Sequence, residues 1–397
     1  MSTAAAMRAY RGPALFCFGF RPFFLFGAVW AAVATPIWLT AYAHGGALAQ
    51  AGIGLDWHIH EMLFGFVGAI VAGFLLTAVP NWTGRLPVVG APLAGLFLLW
   101  LAGRAAMLAA PMLGLPAWVA SIDAVFLVVF AGVIWREVLA GRNWRNLPVA
   151  VLASLFALAD VGVHLRVEPA GLDLFLRLAL AAVAMLLALI GGRVTPSFTR
   201  NWLVRRGGPL PAPPAGRFDQ AVLIATVVTL GAWVMSPEAG AVGALLAGVG
   251  ALHLVRLARW RGWRTGAEPL VLILHMGYLW LPVALILMGL SAVGASVPIS
   301  AGIHALTAGA MGVMILAMTT RASRGHTGRP LAAGWGTSLL YVAVNLAAMA
   351  RVTAGLVPDL HVPGLIVSTV LWSAAFGGFA LIYGPMLLKP RPDLRPA

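Results

Sequence analysis

Twelve apolar stretches follow one another along this chain, each near the ~20 residues that an α-helix needs to cross the hydrocarbon of a bilayer. They lie at about 23–43, 58–80, 89–109, 116–136, 147–166, 171–192, 218–236, 238–258, 269–290, 297–320, 331–353 and 362–388. Composition leaves them no other home. Of the 397 residues 61% are hydrophobic and 10% charged, with a mean hydropathy of +0.93, more apolar surface than a water-soluble fold can bury. Lipid offers the backbone no hydrogen-bond partners, so each span must satisfy its own amides as a helix. The chain reads as an all-α integral membrane protein with twelve transmembrane helices.

The cations set the orientation. With a cytoplasmic N-terminus, 22 of the 26 Lys and Arg fall on the cytoplasmic side, and only Arg104, Arg166, Arg177 and Arg351 lie elsewhere. This yields a cytoplasmic segment 1–22, spans one to six over 23–192, a cytoplasmic linker 193–217 rich in proline and arginine, spans seven to twelve over 218–388, and a cytoplasmic tail 389–397. The first span is full length behind Arg8, Arg11 and Arg21, so it reads as a retained anchor. Basic runs such as Arg256, Arg259, Arg261 and Arg264 are topology signals that suit membrane lipid, with no nucleic-acid motif beside them. The single cysteine, Cys17, excludes an intrachain disulfide, covalent c-type heme attachment and iron–sulfur clusters that need several thiolates. Metal ligation falls to histidine, carboxylate or methionine.

Spans two and ten carry a duplicated pattern. His60, Gly65, Gly68, Thr83, Gly84 and Arg85 match His304, Gly309, Gly312, Thr327, Gly328 and Arg329, all at one offset of 244. A weaker echo, Pro80-Asn81-Trp82-Thr83 against Pro196-Ser197-Phe198-Thr199, relates span six to them without a histidine. An interval of four helices keeps such repeats parallel, which points to three four-helix units about an axis normal to the membrane.

Ionisable side chains in hydrocarbon are costly unless paired or ligating, so His60 and His304 are functional candidates near the outer face; a helix-end histidine hydrogen-bonded in the interface is the plainer reading. Asp56, four residues before His60, is placed to accept a proton from its second ring nitrogen. At about 100° per residue, His58 and His60 point to opposite sides of a regular helix, and Glu61 shares the face of His58. That His58–Glu61 pair suits a borderline metal, or is a solvated charge favoured by the helix dipole. A second, inner group comprises His253, His275 and the loop residue His326, the first two on the order of 8–10 Å inside the inner boundary. Arg256, a turn after His253, suits a heme propionate or a positive-inside anchor equally. Met311, Met314 and Met318 are read as packing residues, and the smooth Ala305, Gly309 and Gly312 surface as a place for another helix or a flat ring. His44, His164 and His361 read as wet surface histidines.

With these residues in view, the chain resembles the NnrS family of bacterial membrane proteins over essentially all its 397 residues. The resemblance rests on Phe20-Arg21-Pro22-Phe23-Phe24, His58-Ile59-His60-Glu61-Met62, Gly192-Arg193-Val194-Thr195-Pro196 and Leu274-His275-Met276-Gly277-Tyr278. Its most specific part is the run from His304 to Pro330, ending Arg324-Gly325-His326-Thr327-Gly328-Arg329-Pro330. It implies an inner-membrane location, non-covalent b-type heme, copper, and a role against nitrosative stress through redox conversion or handling of nitric oxide or its iron complexes, with an electron donor still to be named. The twelve-helix plan is also similar to the catalytic subunit of heme-copper oxidases, where histidines of spans two and ten hold a heme. By that resemblance His60 and His304 are its axial ligands; His58, Glu61, His253, His275 and His326 remain candidate metal ligands, with copper expected at His253 or His275. The chain departs from that family at Gly302, where a second histidine is needed, and in spans six and seven, which carry none. A bis-histidine heme suits electron transfer, and a single ligand leaves a position for nitric oxide. Rival classes are a multi-pass transporter or channel for a metal or small solute, and a non-enzymatic heme sensor.

Overall fold

A computed structural model describes residues 10–165, 173–208 and 216–391. The start of the 1–22 segment, Arg166, the linker prolines within 209–215 and the tail beyond Arg391 lie outside the described residues. Among the described residues there is no strand.

Eleven helices are long and apolar enough to cross a membrane: α1 Phe20–His44, α2 Leu55–Thr83, α3 Ala91–Met112, α5 Trp144–Leu165, α6 Leu174–Arg205, α7 Arg217–Met235, α8 Gly240–Arg259, α9 Pro269–Ala292, α10 Ile299–His326, α11 Trp335–Leu356 and α12 Pro358–Leu388. A further long helix, α4 at Ile122–Ala140, is as apolar as several of these but carries three charged residues, Asp123, Arg136 and Glu137. Asp123 and Glu137 are nonetheless buried, because each meets an arginine. The all-α membrane architecture expected from hydropathy is the architecture observed. One boundary differs: α6 continues as regular helix through Arg205, so 193–205 is helical where linker was expected. Backbone hydrogen bonding carries α6 past the end of its apolar run, a feature that hydropathy cannot register.

The chain packs as two compact units. The first comprises Met1–Ala182, Ser323–Arg329 and Phe376–Ala397, and the second Val183–Ala322 and Pro330–Ala375. In the first, aromatic rings fill the space between helices: Phe23 meets Phe97 and Phe126, Phe64 stacks on Phe156, and Phe66 meets Phe376 edge-on. Arg21, 1% exposed, donates from Nη1 to the carbonyls of Leu387 and Lys389, each at 2.8 Å, and so caps the C-terminal end of α12. In the second unit α8 and α9 approach backbone to backbone. A Cβ on Gly243 would stand 2.8 Å from the Gly289 carbonyl oxygen, and one on Gly250 3.0 Å from that of Pro282.

The duplication has a structural counterpart. Immediately after His60, α2 winds as a π-helix over Glu61–Val67, and immediately after His304, α10 does the same over Ala305–Met311. A shorter π-helical stretch interrupts α6 at Leu187–Gly191. Such wide turns free carbonyl groups and favour functional positions. The Thr-Gly-Arg end of each pattern is a helix stop: Gly84 and Gly328 share a φ of 72°, while the hydroxyls of Thr83 and Thr327 bond back to the carbonyls of Val79 and Ser323.

Candidate metal centre

Four helices of the first unit deliver polar side chains to one buried place. His60 and Glu61 come from the start of α2, Arg104 from late in α3, Asp123 from the first turn of α4, and Asp160 with His164 from one face of α5, four residues apart. The π-helical turn makes room. Its Gly65 carbonyl accepts from Trp100 Nε1 at 2.9 Å. A Cβ on Gly65 would overlap Arg104 and stand 2.9 Å from Glu61 Oε2, so only glycine lets the guanidinium lie there.

His60 is 3% exposed, and its Nε2 has three neighbours: Asp160 Oδ1 at 3.2 Å, Asp123 Oδ2 at 3.3 Å and His164 Nε2 at 3.2 Å. Its Nδ1 lies 3.3 Å from Glu61 Oε1. Arg104 donates from Nη1 to Glu61 Oε2 at 2.6 Å and from Nη2 to Asp123 Oδ1. One imidazole nitrogen has one proton or one lone pair, so three close neighbours cannot all be its hydrogen-bond partners. Asp160 is fully buried, and its Oδ2 has no hydrogen-bond partner.

These features fit a metal ion. Among the described residues, His60, Asp123, Asp160 and His164 are the group of three or more such side chains whose ligand atoms all lie within 4.8 Å of one another. Two imidazoles and two carboxylates suit borderline divalent ions such as iron, zinc, manganese or copper(II) better than thioether-preferring copper(I). An Nδ1–H donated to Glu61 would orient His60 with its Nε2 lone pair toward the ion, the carboxylate–histidine arrangement common around bound metals.

The site differs in detail from the sequence expectations. The neighbour expected of Asp56 is supplied by Glu61, while Asp56 is exposed. Glu61 turns toward His60 and Arg104 because the π-helical turn begins at it and the guanidinium draws its carboxylate inward. His58 goes the other way, its ring stacked on Trp38 with centroids 4.1 Å apart. His164, read as a wet surface residue, joins the cluster because α5 runs on to Leu165 with Asp160 one turn before it. Sequence reasoning missed Asp123, Asp160 and the role of Arg104. Their signal was available as charges inside apolar spans, with Asp160 and His164 at an i, i+4 spacing.

The remaining candidates are placed as follows. His304 has Nδ1 2.7 Å from the Ser300 carbonyl, so Nδ1 carries the proton and Nε2 the lone pair. That is a tautomer able to ligate heme iron. The small-residue surface beside it is filled by indoles: a Cβ on Gly309 would stand 2.6 Å from Trp280, and one on Gly312 2.6 Å from Trp372. Met311 and Met314 are buried, in keeping with a packing role. In the second unit the Thr226 hydroxyl donates to Val222 and therefore accepts from His253 Nε2, leaving His253 Nδ1 to accept from Tyr278, 2.9 Å away. By the same logic the Thr199 hydroxyl, bonded to the Thr195 carbonyl, accepts from His275 Nε2 at 2.7 Å. Arg256 donates to Asp219, the Ala188 carbonyl and Tyr278, so these donors are engaged within the protein. His326 packs its ring 5.4 Å from those of Phe18 and Phe20.

Residues 14–391 match the protein-family profile described as NnrS protein, nearly the whole chain. The chain belongs to the NnrS family. Membership agrees with a multi-pass helical architecture and supports a membrane protein of the nitric oxide stress response. No curated protein matches the chain. Among the described residues of this NnrS family member, the cluster at the start of α2 is the place whose side chains fit a metal.

Proposed function

We propose that this protein counters nitrosative stress in the bacterial inner membrane, by redox conversion or handling of nitric oxide or its iron complexes. The observation that carries the reading is the buried group of His60, Asp123, Asp160 and His164 in a chain of the NnrS family. Copper and b-type heme are the cofactors expected from that family. A redox-active metal at the cluster would supply a one-electron change and, by expanding from four to five ligands, a place for a small diatomic molecule. The protein's own residues supply the rest. Asp123 on α4 and Asp160 with His164 on α5 bring their donor atoms to His60, and Glu61 orients His60. Arg104 holds Glu61 and Asp123 in turn. Phe64, 5.2 Å from the His60 ring, and Phe156 stacked on it wall the site with apolar surface. Nitric oxide is small and apolar and reaches such a site through lipid.

In the orientation that the positive-inside rule favours, the start of α2 would lie toward the outer face, where an electron donor would meet the cluster. Purified protein in detergent, supplied with a chemical reductant, should consume nitric oxide and change its absorption spectrum on exposure to the gas. Asp160→Asn should lower consumption at least tenfold. A preparation that neither consumes nor spectrally responds to nitric oxide, yet moves a divalent metal across a liposome membrane, would overturn the proposal in favour of transport.

A further inference from the structure

Resting on the reading of the cluster as a metal centre, we infer that His60 is a ligand of a mononuclear, non-heme divalent ion and not of heme. Access is the first argument. Heme iron bonded to Nε2 would bring a flat macrocycle perpendicular to that bond, but three side-chain atoms from α4 and α5 already stand 3.2 to 3.3 Å from Nε2. A single ion needs only the space among those atoms.

Spacing is the second. Metal bonds of about 2.0–2.1 Å in a tetrahedral set put neighbouring ligand atoms roughly 3.3–3.4 Å apart. His60 Nε2 stands 3.2 Å from Asp160 Oδ1, 3.3 Å from Asp123 Oδ2 and 3.2 Å from His164 Nε2, and His164 Nε2 lies 3.7 Å from Asp160 Oδ1. Four of the six donor–donor distances thus lie near the edges of such a set, and all six lie within 4.8 Å.

Charge is the third. Glu61, Asp123 and Asp160 are carboxylates, all buried, and Arg104 is the guanidinium among them. Ionised, the group carries a deficit of two positive charges, which a divalent ion neutralises and a monovalent one does not. An uncompensated deficit of that size is expensive in hydrocarbon. The unpartnered Oδ2 of Asp160 supplies a further acceptor for the ion or a water bound to it.

The test is metal and heme quantification on full-length protein purified in detergent. Wild type should carry a stoichiometric non-heme divalent metal. Asp160→Asn, His164→Ala and His60→Ala should each lose at least tenfold of it while keeping heme. Loss of heme in His60→Ala, or retention of the metal in Asp160→Asn and His164→Ala, would overturn the inference. Should the variants misfold, wild type stripped with a chelator and loaded with cobalt(II) gives the answer. Intense visible d–d absorption supports a low-coordinate site, and its absence refutes it. Wild type that consumes nitric oxide but holds no non-heme metal sinks this inference alone. A loaded site with no response to nitric oxide sinks the proposed function alone.

Discussion

Removing Arg104 separates what holds the fold from what would bind an ion. Its guanidinium, 2% exposed, bridges Glu61 at 2.6 Å and Asp123. At an effective dielectric of about 20, unit charges 2.6 Å apart attract by roughly 6 kcal/mol, much of which desolvation cancels. Loss of one partner is harsher, because it leaves the carboxylates buried and uncompensated, at a cost of roughly 3–5 kcal/mol. Arg104→Met should therefore shift the unfolding equilibrium between about a hundredfold and several thousandfold. Glu61→Gln alone replaces a charged hydrogen bond and should cost about 1.5–3 kcal/mol. The double variant Arg104→Met/Glu61→Gln returns the site to the wild-type net charge, so its cost should fall short of the sum of the singles by roughly 0.5–3 kcal/mol. The metal should respond differently, since losing a cation strengthens the pull on a divalent ion. Equilibrium unfolding in mixed micelles, with tryptophan fluorescence as probe and metal content measured in parallel, tests both. Strict additivity, or an Arg104→Met protein as stable as wild type, would refute the bridging role.

Four further measurements bear on other parts of the molecule. Chelator treatment should lower the melting temperature of wild type but not of Asp160→Asn, because an ion present at a hundred times its dissociation constant contributes about 2.7 kcal/mol. Gly309→Ala forces a Cβ to within 2.6 Å of the Trp280 ring and should destabilise by roughly 1–3 kcal/mol. Its thermal melt should fall well below that of a Gly231→Ala control, where a Cβ meets open space. Tyr278→Phe strips a hydroxyl from His253 and Arg256 and should cost about 1–3 kcal/mol, read as a lower thermal melt. Reporter fusions after Thr83 and after Arg205 should both report a cytoplasmic location, and an outside signal from either would overturn the orientation.

Much of this architecture was legible because the bilayer imposes a simple rule on the backbone. Among the described residues the apolar runs long enough to span became helices, and the run expected at 116–136 is the charged α4 at Ile122–Ala140. The duplicated motif was legible as a pattern but not as a shape. The π-helical turns behind His60 and His304 have no simple residue code, and they decide which way Glu61 faces. Asp56 was a reasonable partner for His60 on an ideal helix; the wide turn put Glu61 there instead.

The sequence by itself determined the helical membrane architecture and the family, and it singled out His60 as a candidate, because hydropathy, charge asymmetry and motif spacing are local properties. Only the tertiary structure decided which side chains surround His60. Asp123, Asp160 and His164 lie 63 to 104 positions away and come beside it through the packing of α2, α4 and α5. The physical reason is that a metal site is a concentration of donors within a few ångströms, and helices far apart in sequence create it only once their faces have met.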